Sequence, residues 1–220
     1  MGRKILKQEA LLRKALRERG VDCARLEIRV DHMRGRNYVD DLEMGIIYPD
    51  SFLRKARRYH LVKKKYDFYF NGNMGKRGQR NRLMCPFQSL SGGKIIESNF
   101  GRISLFKSSF NYLYYFGLAR ARYGLCPHQI NWAGPREDIW TYRFIECCLV
   151  KSQPVVFVET PLGENFIRGF SAVSDRQFLE MLQHGHVDKN YENKLHHNFE
   201  LAKERFFLAT DIVGKLRVKG

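Results

Sequence analysis

Arg143 and Glu146 stand one helical turn apart in Tyr142-Arg143-Phe144-Ile145-Glu146, so a helix there carries both on one face. Arginine in that place can pair with a phosphate, and a carboxylate near a helix start can accept hydrogen bonds from a ribose diol. The same spacing also suits a plain surface ion pair of little energetic consequence. Upstream, Asn71, Gly72, Asn73 and Gly75 tolerate tight turns and close backbone approach, and Lys76, Arg77, Arg80 and Arg82 follow at once. That order suits a diphosphate, and it also fits a Gly-rich connection beside solvated cations. Neither GxGxxG nor a GK[ST] phosphate loop is present.

Other reactive residue types carry less. His184-Gly185-His186 and His196-His197 have no neighbouring cysteine and no HExxH pattern, so no metal site is expected there. The five cysteines, Cys23, Cys85, Cys126, Cys147 and Cys148, are odd in number and form no CxxC pair, which argues against a disulfide framework or a zinc finger. Tyr112, Tyr114, Tyr115 and Phe116 either stack on a base or sugar or form the core face of a helix.

The elements that must position these residues alternate from Tyr66 onward. Strands are expected at Tyr66–Phe70, Lys94–Ile96, Tyr123–Pro127 and Pro154–Val158, the last a continuous apolar run of the kind buried in parallel sheets. Helices are expected over Ser108–Arg122 and Asp138–Lys151, and from Val173 to about Leu208. Strand and helix in alternation predict βαβ units and an α/β, Rossmann-like parallel sheet flanked by helices. In such sheets ligands sit beyond the carboxyl ends of the strands, where the Asn71 loop falls. Before this domain, 66–220, lies a basic segment, 1–65. It opens on an amphipathic helix to about Gly20, and strand-like pieces follow around Arg25–Val30 and Met44–Tyr48 with the turn-rich DHMRGRNYVDD between them. Ser51 can cap a short helix that ends near Lys63-Lys64-Lys65. The first helix either packs on its own domain or lies on an anionic membrane.

With 44% hydrophobic and 13% aromatic residues in 220, the chain can bury a core and is not a disordered segment. Its net charge is +16, and thirteen of those sixteen excess charges precede Ile103. Such a field attracts nucleic acid, anionic lipid or a phosphorylated substrate without choosing among them. No apolar run reaches eighteen residues and the first twenty are too charged for a signal-peptide core, so a cytoplasmic protein, peripheral at the inner face of the membrane, is expected.

The segment Tyr123 to Glu159 resembles the C-terminal, donor-binding half of GT-B glycosyltransferases, most closely the exostosin-like group. The likeness rests on Gly124–Pro127, on Tyr142-Arg143-Phe144-Ile145-Glu146 and on Pro154-Val155-Val156, within a resemblance that covers about 66 to 170. It implies a single GT-B-type domain in which Arg143 contacts the phosphates of a nucleotide-sugar, Glu146 its ribose, and the His128–Asp138 loop faces the donor. Asn71, Gly72, Asn73, Arg77, Arg80, Arg136 and Tyr142 complete the expected donor site. A second Rossmann-like domain precedes this half in such enzymes, whereas only about 65 residues do here. No D-x-D triplet occurs, so cationic side chains and helix N-termini would neutralise the leaving diphosphate. His128 and Asp138 are the titratable groups expected to meet the acceptor hydroxyl. His128 is equally a loop hydrogen bonder, and Asp138 the N-cap of the Arg143 helix.

The implied activity is metal-independent transfer of a sugar from a nucleotide-activated donor to a glycan or lipid-linked acceptor in surface polysaccharide or lipopolysaccharide synthesis. The nucleotide-sugar is then a substrate, and no cofactor is expected. Two other classes stay open: a non-catalytic nucleic-acid-binding protein, which only the charge favours, and an inactive donor-binding partner of a larger transferase.

Overall fold

The computed structural model describes residues 7–74, 79–97, 109–128, 136–185 and 188–219. Helix α1 (Lys7–Glu18) turns Leu11, Leu12, Ala15 and Leu16 inward, so its apolar stripe lies inside the protein. Beneath it β1 (Ile28–Asp31), β2 (Arg36–Val39) and β3 (Leu42–Met44) form an antiparallel meander. The turn-rich stretch is therefore a strand: β2 runs between turns that place Gly35 and Asp40 at φ +63° and +50°. Its polar opening, Arg36-Asn37, hid it. Asn37 is fully buried and donates its Nδ2 to the Gly45 carbonyl at 2.8 Å, a strand partner that hydropathy does not reveal. Of the strand expected at Met44–Tyr48 only Met44 belongs to β3, and 45–49 is irregular chain leading to α2. Helix α2 (Asp50–Arg57) follows Pro49 without a side-chain cap; Ser51 bonds instead to the Glu18 carboxylate of α1, its Oγ at 2.5 Å.

From β4 (Tyr66–Gly72) the chain continues as α3 (Gln79–Gln88), β5 (Gly93–Glu97), α4 (Tyr112–Ala119), β6 (Ala121–Leu125), a 3-10 turn (Arg136–Asp138), α5 (Tyr142–Leu149), β7 (Gln153–Val156), α6 (Glu164–Ile167), β8 (Val173–Ser174), α7 (Asp175–His184), α8 (Tyr191–Arg205) and α9 (Thr210–Lys219). The five strands β4 to β8 are all parallel, in the order β5-β4-β6-β7-β8. This is the expected α/β, Rossmann-like sheet flanked by helices. Strand alternation explains the layers. Phe68 and Phe70 point into a core shared with α3 and α7, whereas Tyr69 points into the core shared with α2, α4, α5 and α8. All three are essentially inaccessible, as in a sheet covered on both faces.

Several boundaries move for local reasons. The helix expected from Asp138 begins at Tyr142, because Thr141 is its cap: the hydroxyl accepts from the Arg143 backbone N–H. Ile139 and Trp140 are buried in the approach to it. Helix α4 stops at Ala119, and Ala121-Arg122 begin β6. The long helix from Val173 is strand β8 followed by two helices; a Ser174–Gln177 capping box starts α7, and Gly185 at φ +63° ends it. Finally, Val213 and Leu216 of α9 pack with Leu12, Leu16, Val21 and Ile28, so the first and last elements share a second core.

Candidate functional site

Chain order reverses direction in the sheet between β4 and β6, the place where open α/β sheets hold ligands. Some of the sequence-derived candidates meet near it: Arg143 with Asn71, and Arg80 with Asn73. Asn71 and Gly72 are the last two residues of β4 rather than loop, and Asn73 follows them exposed. Arg143, in the first turn of α5, is only 3% exposed and donates Nη2 to the Asn71 carbonyl at 2.9 Å. Its guanidinium lies 4.2 Å from the centroid of the Phe70 ring, a cation–π contact. Gly72 makes this possible: a Cβ there would fall 2.7 Å from Arg143 Nη2. The arginine thus fastens the start of α5 to the end of β4.

Glu146, one turn along and 2% exposed, accepts from the Tyr114 hydroxyl of α4 at 2.9 Å and lies 3.6 Å from Lys7 Nζ of α1. The same ammonium sits over the half-buried Tyr142 ring at 4.4 Å. Within one turn of α5, three expected site residues therefore engage β4, α4 and α1.

On the other side of the reversal, Arg80 of α3 reaches back to donate Nη1 to the Asn73 carbonyl at 2.9 Å. His128, in the loop after β6, bonds through its backbone N–H to Thr160 Oγ1. Burial, helped by the positive charge of Arg80, pulls the imidazole pKa down to about 4, so the ring is neutral at pH 7. Arg80 thus stands close to both Asn73 and His128. Arg77 lies outside the described residues.

Asp138 and Arg136 sit in the 3-10 turn ahead of α5. Arg136 is exposed. Asp138 does not cap α5; both its oxygens lie 3.3 Å from Arg36 Nη2 of β2, and Arg36 Nη1 lies 3.1 Å from Glu43. This bridge lines a cleft of about 450 Å³ between the meander, Trp140, α6 and the end of α8. Trp140 donates its Nε1 to the His32 carbonyl, a further tie between meander and sheet domain.

Lys7, Phe70 and Arg36 were not among the expected site residues, and Tyr114 was expected to stack on a base or sugar or to form core, not to hold Glu146. Tyr114 carried a signal, since it belongs to the Tyr112–Phe116 cluster: it is buried core and hydrogen-bonded to Glu146 at once. Lys7 and Arg36 carried none, being two cations among thirty-nine. Among the described residues, no group of three His, Cys, Asp or Glu is placed to hold a metal ion, and no helix is long and apolar enough to cross a membrane. No known protein family and no curated protein matches the chain.

Proposed function

We propose that the crevice between β4 and β6 binds the diphosphate of a nucleotide-activated sugar, and that the protein is a glycosyltransferase acting on a glycan or lipid-linked acceptor in surface polysaccharide synthesis. One observation carries the reading: the 2.9 Å bond from Arg143 to the Asn71 carbonyl, which brings the two candidate phosphate-binding segments to one point of sheet reversal. The GT-B likeness of Tyr142–Glu146 agrees with it.

In this reading the chemistry is electrostatic. Negative charge builds on the departing diphosphate, and Arg80, the turn at Asn73 and the buried charge of Arg143 stabilise it from fixed positions. Arg143 serves chiefly by fixing the end of β4 at Asn71 and keeping the site positive. Glu146, buried against Tyr114 and Lys7, supports the ribose side of the site by fixing α5 against α4 and α1 rather than by touching the sugar. His128, uncharged near neutrality, accepts the proton of the acceptor hydroxyl. Asp138, already bridged to Arg36, orders the meander beside the acceptor path.

Thermal unfolding with UDP, GDP or CMP tests the donor site. Saturation at about a hundred times Kd should stabilise the fold by about 2.7 kcal/mol, or about 5–10 °C at this chain length, with no comparable rise from inorganic phosphate. No rise with any nucleotide removes the proposal. The bridging of Asp138 to Arg36 favours a second reading, a donor-binding partner without turnover. Donor hydrolysis or sugar transfer by the nucleotide-bound chain decides between the two.

A further inference from the structure

Helix α4 carries its buried face, Tyr114, Tyr115 and Leu118, into the core, and leaves Tyr112, Leu113 and Phe116 outward. Leu113 is 84% exposed, far more than an apolar side chain gains by chance on a packed helix. The segment after α2 runs along that same helix. The Tyr59 hydroxyl reaches the Tyr112 carbonyl in the first turn of α4, and Lys64 Nζ bonds to the Ala119 carbonyl in its last. Between those two anchors stands Leu61, 98% exposed. Leu61 of this segment and Tyr112, Leu113 and Phe116 of α4 are therefore apolar groups exposed on two adjoining stretches, with the Tyr59 ring 5.9 Å from that of Phe116.

Cations stand among these groups. Lys55 lies over the Tyr112 ring, Arg120 over Phe116, and Arg58, Lys63 and Lys65 are exposed alongside. Neither 51–66 nor 109–128 contains an aspartate or glutamate. Exposed apolar side chains with cations among them, and no carboxylate in either segment, complement an anionic bilayer: the apolar groups enter the headgroup boundary while lysine and arginine meet lipid phosphates. A protein partner would be expected to leave some acidic groups for pairing, and a nucleic acid has no use for Leu61 and Leu113.

We infer that α4 and the segment Arg58–Lys65 form a docking face for membranes rich in anionic lipid. α1, whose apolar stripe is buried, does not supply it. The face is independent of the donor crevice, so either can fail alone.

Pelleting of the full chain with vesicles tests this. Phosphatidylcholine vesicles should leave it in solution, whereas vesicles with about a quarter phosphatidylserine should carry it down, less so as salt rises. Arg58→Glu/Lys63→Glu should weaken that binding at least 25-fold, about a factor of five per lost cation. Leu61→Ser/Leu113→Ser, which leaves the charge unchanged, should weaken it at least tenfold, with unchanged melting because both side chains are exposed. The inference is overturned if anionic vesicles do not bind the chain, if neutral ones bind it equally, or if the leucine pair has no effect. Capture of duplex DNA that depends on the charge pair but not on the leucine pair, with vesicles ignored, would assign the face to nucleic acid instead.

Discussion

Arg143 shows how little of a residue's work its neighbours in sequence disclose. The spacing to Glu146 suggested a pair on one face, yet Arg143 engages the Asn71 carbonyl and the Phe70 ring, both on strand β4. Arg143→Lys keeps the charge but loses the planar fork and the flat stacking. It should cost about 2–3 kcal/mol, from a charged buried hydrogen bond and a desolvated cation–π contact, and should abolish nucleotide-dependent stabilisation. A lysine variant that melts with wild-type behaviour and still responds to nucleotide would deny the arginine its place. Glu146 needs a gentler substitution. Alanine strands Tyr114 and Lys7 in a buried setting and should destabilise by about 3 kcal/mol or more, confounding any binding assay. Glu146→Gln still accepts from Tyr114 but loses the Lys7 ion pair, so the fold should survive while nucleoside diphosphates bind more weakly; equal affinity ends its supporting part in the donor site. His128 gives a pH signature. Its pKa is about 4 folded against 6.5 for an unperturbed histidine, so between those values the unfolded chain holds more protons and stability rises with pH. The contribution is complete above about pH 6.5 and is lost as pH falls towards 4. Melting temperatures measured from pH 7.5 to 4 should decline less steeply in His128→Gln, and identical slopes would mean the imidazole is not held neutral.

At the scale of elements, the sheet was legible because its strands announce themselves. Tyr66–Phe70 and Pro154–Val158 are apolar on both faces, the mark of a strand covered twice, and their alternation with helical stretches fixed a parallel topology. That ligands would lie beyond the carboxyl ends of the strands followed from that topology, whereas the strand order that places the reversal between β4 and β6 did not. What stayed hidden depended on contacts distant in sequence. β2 is paired through a buried asparagine, α5 starts where Thr141 rather than Asp138 caps it, and Glu146 finds its partners on α4 and α1. No local pattern encodes those. Gly124 offers a test of the packing that joins α5 to β6. A Cβ there would lie 2.3 Å from Cys147 Sγ and 3.0 Å from Leu118 Cδ1, so neither the sulfur of α5 nor the leucine of α4 can ignore it. Gly124→Ala should therefore destabilise by about 1–3 kcal/mol through overpacking, read as a lower midpoint in urea at unchanged slope. An unaltered midpoint would mean that the two helices approach the sheet more loosely than these distances require.

At the scale of the molecule, the second core decides whether the basic N-terminal region is an appendage or a working part. Leu12 and Leu16 of α1 meet Val213 and Leu216 of α9, while β2 is bridged to the sheet domain by Arg36–Asp138, and the His32 carbonyl beside the meander accepts from Trp140. The chain's two ends therefore clamp the meander against the turn that leads into α5, and through Lys7 they reach Glu146 itself. Leu216 is fully buried, and Leu216→Ala should cost about 2–5 kcal/mol. The loss should be local in its consequences. α1 and the meander carry many lysines and arginines, so loosening them offers trypsin sites that the native packing protects, while the doubly covered strands β4, β6 and β7 stay closed. Brief trypsin treatment of Leu216→Ala should thus clip before about residue 50 well ahead of the sheet domain, and the same variant should bind nucleoside diphosphate more weakly because Lys7 and Asp138 lose their settings together. Cleavage spread evenly along the chain would mean one cooperative unit with no separable second core; early N-terminal clipping with nucleotide binding intact would mean that the clamp stabilises the fold and contributes nothing to the crevice.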